Sequence, residues 1–290
     1  MTDKLLLFFA FFAWSLCVTP LSIHISRQFG IIDEPGGRKT HSKPTPRGAG
    51  VVIWLGYMFY SLLLPESGAA PSVIATGATA VFIFGYMDDM CSLPASWKLA
   101  VHLASAFFVV LFVPVSLPVK FLLLIWIAGS TSAYNLIDGI NGLSLCIFAL
   151  TAFTGFYLSG AIWWIVVLGL SSGVLLWNYP FARTFLGDGG STLLGFICMS
   201  QFSCELPGLL DEASIFKWFL VMALLGGVPV LDTVFSFIRR LAGGQSPFKP
   251  DRGHFHHILA DRGIPSFLVL VMLMVTHTIF LLLAVAFIGR

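Results

Sequence analysis

Residues 117–158 read LPVKFLLLIWIAGSTSAYNLIDGINGLSLCIFALTAFTGFYL: two apolar runs, 117–133 and 143–158, flank the polar turn Asn135-Leu136-Ile137-Asp138-Gly139-Ile140-Asn141-Gly142. Each run approaches the roughly 20 residues that a helix needs to cross a bilayer. The turn between them gathers two asparagines, one aspartate and two glycines in eight positions. Two membrane helices joined by a chemically unusual connection is the pattern the rest of the chain repeats.

Outward from this pair, further apolar segments lie at 4–25, 50–64, 72–87, 97–113, 161–177, 191–202, 214–238 and 266–288. The first follows Lys4 but has no small-residue cleavage site and runs on to spanning length, so it is expected to be a retained helix, not a signal peptide. Breaks fall at turn chemistry: Leu64-Pro65-Glu66-Ser67-Gly68, Val113-Pro114, Ser159-Gly160 and Leu206-Pro207-Gly208. The fold class expected is an all-α polytopic membrane protein of about ten transmembrane helices, with residues 1–290 forming one membrane domain.

Composition agrees. Of 290 residues, 57% are hydrophobic and 10% charged, and mean hydropathy is +0.91. A soluble domain carries about 25% charged residues, so a disordered chain, a nucleic-acid-binding tail and an ordinary soluble enzyme are disfavoured, and no nucleic acid partner is expected. Cys17, Cys91, Cys146, Cys198 and Cys204 show neither disulfide nor zinc spacing and read as small apolar residues.

With ten spans, the loops 26–49, 88–96, 134–142, 178–190 and 239–265 share one side. With Lys98 at a span edge, that side holds twelve of the sixteen Lys and Arg. The positive-inside rule then makes these loops cytoplasmic and puts both termini outside. The same side carries nearly every polar cluster, so the active-site loops are expected to be cytoplasmic.

Four clusters could do chemistry. Gly85-Tyr86-Met87-Asp88-Asp89 places adjacent carboxylates at a helix end, where a cation, a lysine or a proton must offset them. Asn135, Asp138 and Asn141 repeat at i, i+3, i+6 and would share a helix edge; an Asx-rich turn is the alternative. Phe185-Leu186-Gly187-Asp188-Gly189-Gly190-Ser191-Thr192 sets glycines before a helix start, where free N–H groups suit phosphate and Asp188 suits a hard cation or merely a cap. Residues 246–257 end in Asp251-Arg252-Gly253-His254-Phe255-His256-His257, whose three histidines beside Arg252 and Lys249 are expected to make a compact cationic and hydrogen-bonding surface for a phosphate or sugar, since no acidic or cysteine ligand completes a zinc site.

The first cytoplasmic loop, with Arg38, Lys39, His41, Lys43 and Arg47, reads either as an orientation signal beside anionic lipid or as an anion contact. Asp232 is an intramembrane carboxylate whose partner the sequence leaves open. Together these are the components of phosphoryl transfer, in which positioning and charge neutralisation supply most of the rate. A lipid phosphate and a nucleotide would bring one substrate from each phase. A secondary transporter is the rival class, but it would place its polar residues near the bilayer midplane and show internal repeats, neither of which is seen.

The four motifs in this order resemble those of the polyprenyl-phosphate N-acetylhexosamine-1-phosphate transferases, glycosyltransferase family 4: the paired aspartates Asp88-Asp89, Asn-x-x-Asp-Gly at 135–139, Gly-Asp-x-Gly-Ser at 187–191, and the histidine loop. The resemblance implies a magnesium-dependent transfer, with manganese as a substitute. A sugar 1-phosphate, foremost N-acetylglucosamine 1-phosphate, passes from a UDP-N-acetylhexosamine to undecaprenyl phosphate with release of UMP. It implies the bacterial inner membrane, the lipid bilayer as surroundings and a role in cell-envelope polysaccharide synthesis such as O-antigen or teichoic acid, and it allows a homodimer. UDP-N-acetylfucosamine and phospho-N-acetylmuramoyl-pentapeptide donors are the alternative sugars.

By the same resemblance Asp188 and Asn135 match magnesium-binding positions, and Asp88 matches the carboxylate that orients or activates the lipid phosphate. Asp89, Asp138 and Asn141 would shape the nucleotide and metal environment. Lys43, Gly139, Asn178 and Phe185 fall where relatives contact uridine, and His254, His256, His257 and Arg252 would contact pyrophosphate or sugar. Two departures stand out: Ser92 and Asn141 occupy positions where many relatives carry acids. The histidine loop looks like the N-acetylglucosamine branch, whereas Pro94-Ala95-x-Trp97 after the aspartates looks like O-antigen enzymes that use other sugars.

Overall fold

The computed structural model describes residues 2–36, 43–63, 70–211, 214–246 and 252–289. Every apolar segment of the sequence becomes a helix: α1 (Thr2–Gln28), α2 (Ala49–Leu63), α3 (Ala70–Met90), α4 (Ala95–Leu111), α5 (Leu117–Ile137), α6 (Leu143–Ser159), α7 (Ile162–Asn178), α8 (Gly187–Glu205), α9 (Ile215–Ala242) and α11 (Ser266–Ile288). A short α10 (Phe255–Asp261) forms in the histidine loop, and two-residue strands β1 (Ile32–Asp33) and β2 (Thr45–Pro46) pair antiparallel in the first loop. The expected turn at 64–68, together with Arg38, Lys39, His41, Lys249 and Asp251, lies outside the described residues.

Helix boundaries follow local chemistry. Proline, which lacks an N–H and presets a helical φ, stands just before α4 and α11 as Pro94 and Pro265 and in the first turn of α5 as Pro118. The α6 helix ends on Gly160 at φ 69°, the left-handed conformation that glycine adopts without strain.

By length and composition five helices can cross a membrane: α1, α3, α5, α9 and α11. The α2, α4, α6 and α7 helices are apolar but shorter. Large apolar side chains such as Leu6, Phe108, Phe121, Phe216 and Leu282 stand exposed on the outer surface, an arrangement suited to lipid and costly in water. The chain is an all-α, multi-pass membrane protein.

The exception in composition is α8, and burial explains it. From Gly189 to Ser203 nearly every residue is buried, enclosed by α2, α3, α4, α5 and α6. A helix that faces protein on all sides has no need of a lipid-compatible surface, so Ser191, Thr192, Ser200 and Ser203 are tolerated there. Its start is gripped by glycine contacts: a Cβ on Gly85 would lie 2.7 Å from the Gly189 Cα, and only the missing side chains let α3 and α8 approach this closely.

The α9 helix is broken at Gly227, whose φ is 51°, two residues before Pro229. Proline removes a backbone donor and clashes with the preceding turn. The buried His277 of α11 meets the break: its Nδ1 accepts the Val228 N–H at 3.3 Å, and its Nε2 lies 2.8 Å from Thr151 Oγ1 on α6. Beyond the break, α9 carries Asp232 toward the histidine loop.

Candidate active site

The centre is a set of side chains delivered by α3, α4, α5 and α8. Asp88 ends α3, Lys98 lies in the first turn of α4, Asn135 in the last turn of α5 and Asp188 in the first turn of α8. The Lys98 Nζ donates to Asp88 Oδ2 at 2.7 Å and to Asp188 Oδ2 at 3.2 Å. The Asn135 Nδ2 donates to Asp188 Oδ2 at 2.9 Å, while its Oδ1 accepts from Ser191 Oγ at 3.0 Å. The second oxygen of Asp88 accepts the Leu93 N–H. Lys98 is the residue that sequence reasoning missed. In the sequence it reads as a span-edge charge, although its place ten residues after Asp88, entering an apolar helix, is a signal.

Asp89 behaves differently from its neighbour. Its side chain is 1% exposed, against 12% for Asp88 and 26% for Asp188. The carboxylate accepts the Asp188 N–H at 3.0 Å and the Gly189 N–H at 3.2 Å, and pairs with Arg47 at 3.1 Å. Arg47 also pairs with Asp33. One expectation is corrected here. The Asp188 and Gly189 amides at the start of α8 are not free for phosphate, because Asp89 caps them from another helix.

The 138–142 connection is a turn, not a helical edge. The α5 helix ends at Ile137 with Asp138 as its C-cap, and Gly142 takes φ 80°. Asn135 and Asn141 therefore do not share a helix face, and the Asx-rich alternative holds. Asn141 donates to Pro180 O at 3.1 Å. Asn178 is buried with both ends of its amide engaged: Oδ1 accepts the Gly142 N–H at 2.6 Å and Nδ2 donates to Thr184 O at 2.9 Å. It ties the turn to the segment before Phe185, whose backbone bonds to Pro46, Gly48 and Ala49. Burial pushes the Asp138 carboxyl up to about 8, with the Asp188 and Asp89 charges adding and Arg47 opposing.

The histidine loop closes on this turn. His254 Nδ1 lies 2.7 Å from Asp232 Oδ2, and Asp232 Oδ1 accepts the Phe255 N–H at 2.7 Å. Asp232 thus caps α10 and orients His254, which settles the partner that the sequence left open. His256 lies between His254, stacked at a ring separation of 6.0 Å, and His257, tilted by 46° at 4.1 Å. A Cβ on Gly139 would overlap its Nε2, so the glycine is what lets the histidine loop reach the 138–142 turn. Burial, then His257, His254 and Arg252, push His256 down to about 3, and burial first lowers His257 as well. Of the expected surface these two rings suit the hydrogen-bonding part, and Arg252 supplies positive charge. Arg252 pairs with Asp261 at 2.7 Å on the exposed side of α10. Lys43 lines a cavity with Arg27, Pro46, Trp177 and Arg183, and the Pro46 carbonyl there accepts the Phe185 N–H at 2.8 Å.

The donor set suits a hard divalent cation. Asp88 and Asp188 already converge on one positive charge, the Lys98 amine, and the Asn135 oxygen, which here accepts from Ser191, would join them as a ligand if its amide turned over. Among the described residues no three His, Cys, Asp or Glu gather as a metal cage. Magnesium is commonly held by one or two carboxylates plus substrate phosphates, not by an all-protein shell.

The chain is similar to known proteins along most of its length. The description "Glycosyl transferase family 4" matches residues 71–202, a span that includes Asp88, Lys98, Asn135 and Asp188. Similar proteins include the probable undecaprenyl-phosphate N-acetylglucosaminyl 1-phosphate transferase of Bacillus subtilis (strain 168), 32% identical over 274 residues, covering 86% of this chain and 75% of the relative. The undecaprenyl-phosphate alpha-N-acetylglucosaminyl 1-phosphate transferases of Thermotoga maritima and Escherichia coli K12 are 29% and 26% identical, covering 86% and 83% of this chain and 79% and 72% of the relatives. The chain belongs to glycosyl transferase family 4.

Proposed function

We propose that this enzyme transfers N-acetylglucosamine 1-phosphate from UDP-N-acetylglucosamine to undecaprenyl phosphate and releases UMP. The observation that carries the reading is the Asp88–Lys98–Asp188–Asn135 cluster, joined to relatives named undecaprenyl-phosphate N-acetylglucosaminyl 1-phosphate transferases. An oxygen of the lipid phosphate attacks the β-phosphorus of the nucleotide sugar. The new phosphorus–oxygen bond forms as the bond from that phosphorus to the bridging oxygen breaks, and the bridging oxygen leaves with UMP.

In this reading Lys98 and Asp88 orient the lipid phosphate at the end of α3. A phosphate monoester is largely ionised near neutral pH, with a pKa near ~6, so positioning matters more than proton removal by Asp88. Asp188 and Asn135 would hold magnesium, or manganese in its place, and the ion when bound would neutralise the pyrophosphate oxygens. The neutral His256 and His257 would hydrogen-bond the pyrophosphate or the sugar, with His254 fixed by Asp232 behind them. The uridine end would rest against the 138–142 turn and Phe185. Ten spans, external termini and an active site facing the cytoplasm of a bacterial inner membrane complete the proposal, supported by the twelve Lys and Arg that fall on the active-site side.

Purified protein is expected to release UMP from UDP-N-acetylglucosamine only when undecaprenyl phosphate and magnesium are both present. A panel of UDP-N-acetylated sugars with product masses tests the donor and the class together. Absence of release with every sugar overturns the proposal.

A further inference from the structure

We propose that a cavity between α1, β2 and the segment after α7 binds the phosphate headgroup of an anionic phospholipid. The cavity measures about 390 Å³, and Arg27, Lys43 and Arg183 line it beside Trp177. These three cations come from three distant parts of the chain: the last turn of α1, the approach to β2 and the segment following α7. No acidic side chain lines the cavity among the described residues. The two guanidinium groups of Arg27 and Arg183, brought to one concave site, repel each other and favour a bound anion.

A second observation selects a lipid over a free phosphate. A neighbouring cavity of about 260 Å³ shares Trp177 and Arg183 and is otherwise lined mainly by apolar groups, including Leu16, Leu176, Pro180 and Phe181. Leu176 is 58% and Phe181 85% exposed, as expected of side chains that face acyl chains. The Arg183 guanidinium lies 5.4 Å from the centre of the Trp177 ring, so the cation sits where the charged and apolar halves meet. A basic opening next to an apolar one, at the helix ends that the active site shares, fits a molecule with a phosphate head and hydrocarbon tails. Basic pockets between membrane helices bind such headgroups. This proposal does not rest on the transferase reading.

The test uses the full chain in mixed micelles with dioleoylphosphatidylglycerol or dioleoylphosphatidylcholine, reading retained lipid by native mass spectrometry. Wild type is expected to retain phosphatidylglycerol over phosphatidylcholine. The Arg27→Gln/Arg183→Gln double variant should lose that preference by about tenfold or more, since each cation near the headgroup contributes measurably. The Arg27→Lys/Arg183→Lys variant, which keeps both charges, should retain most of the preference, and both variants should turn over normally in phosphatidylcholine. Equal retention of the two lipids by wild type, or an unchanged preference in the glutamine variant, overturns the proposal. Displacement of phosphatidylglycerol by inorganic phosphate overturns the lipid assignment, and displacement by UDP-N-acetylglucosamine or undecaprenyl phosphate makes the cavity part of the substrate site.

Discussion

The carboxylate of Asp89, at the end of α3, accepts the backbone N–H of Asp188, at the start of α8, at 3.0 Å. Adjacent aspartates in the sequence therefore divide their work. Asp89 fixes the residue after Gly187 by its main chain, and Asp88 meets that residue's side chain through Lys98. The geometry of the site is set by a cap supplied across helices, and Arg47 holds that cap in place from the first loop.

Removing the cap should therefore cost stability before it costs chemistry. Asp89→Ala leaves two amides of α8 and one side of Arg47 without their acceptor, a loss of about 1–3 kcal/mol. Asp89→Asn keeps an acceptor oxygen and should cost less. Unfolding in detergent, followed by tryptophan fluorescence, measures both; equal stability of Asp89→Ala and wild type contradicts the capping role.

Lys98 is expected to control turnover. Lys98→Met leaves Asp88 and Asp188 facing each other without their shared cation and removes a donor to the lipid phosphate, so kcat should fall by about a hundredfold. Lys98→Arg keeps the charge but not the compact amine and should recover only part of the loss. UMP release at saturating undecaprenyl phosphate reads the effect. Wild-type turnover by Lys98→Met would remove the residue from the mechanism.

Asp188→Asn replaces a carboxylate of the proposed magnesium pair by a weaker neutral ligand, and turnover should fall by about a hundredfold or more. The magnesium concentration for half-maximal UMP release should rise in the residual activity. Full turnover at limiting magnesium contradicts the assignment.

Asp138 gives the protein a distinct pH dependence. Its carboxyl, raised to about 8, stays protonated in the folded state while the unfolded chain ionises near ~3.9. The folded state therefore binds more protons between these values, and stability falls as pH rises through that window. Wild type should lose stability relative to Asp138→Asn from pH ~5 to ~8, by about 1 kcal/mol or more, and level off above. Unfolding midpoints of both proteins across this range provide the measurement, and parallel curves refute the assigned environment.

Much of this was legible in the chain. The apolar runs fixed where helices form, because a bilayer-length stretch has no other way to satisfy its backbone, and the four motifs marked the site because intramembrane carboxylates are costly. What stayed hidden depends on contacts between distant segments. The capping of α8 by Asp89 pairs residues 99 positions apart, and the Asp232–His254 bond pairs residues 22 apart across the end of α9. The periodicity at Asn135, Asp138 and Asn141 misled because Asp138 ends its helix and Gly142 turns the chain. The neutral state of His256 follows from burial, which no spacing reports.

The contact between Gly139 and His256 yields the most local test. A Cβ at residue 139 would overlap Nε2 of His256, whereas one at Gly129, in the middle of α5, would meet nothing within 4 Å. Gly139→Ala must therefore push the histidine loop away from the 138–142 turn, and displacing a positioning group by about 1 Å can cost up to about a hundredfold in rate. Gly139→Ala should reduce kcat by about tenfold or more with the protein still folded, and Gly129→Ala should leave it unchanged. Adding His256→Ala to Gly139→Ala removes the clash, so the double variant should match His256→Ala alone. If the two losses instead multiply, the glycine acts on something other than His256.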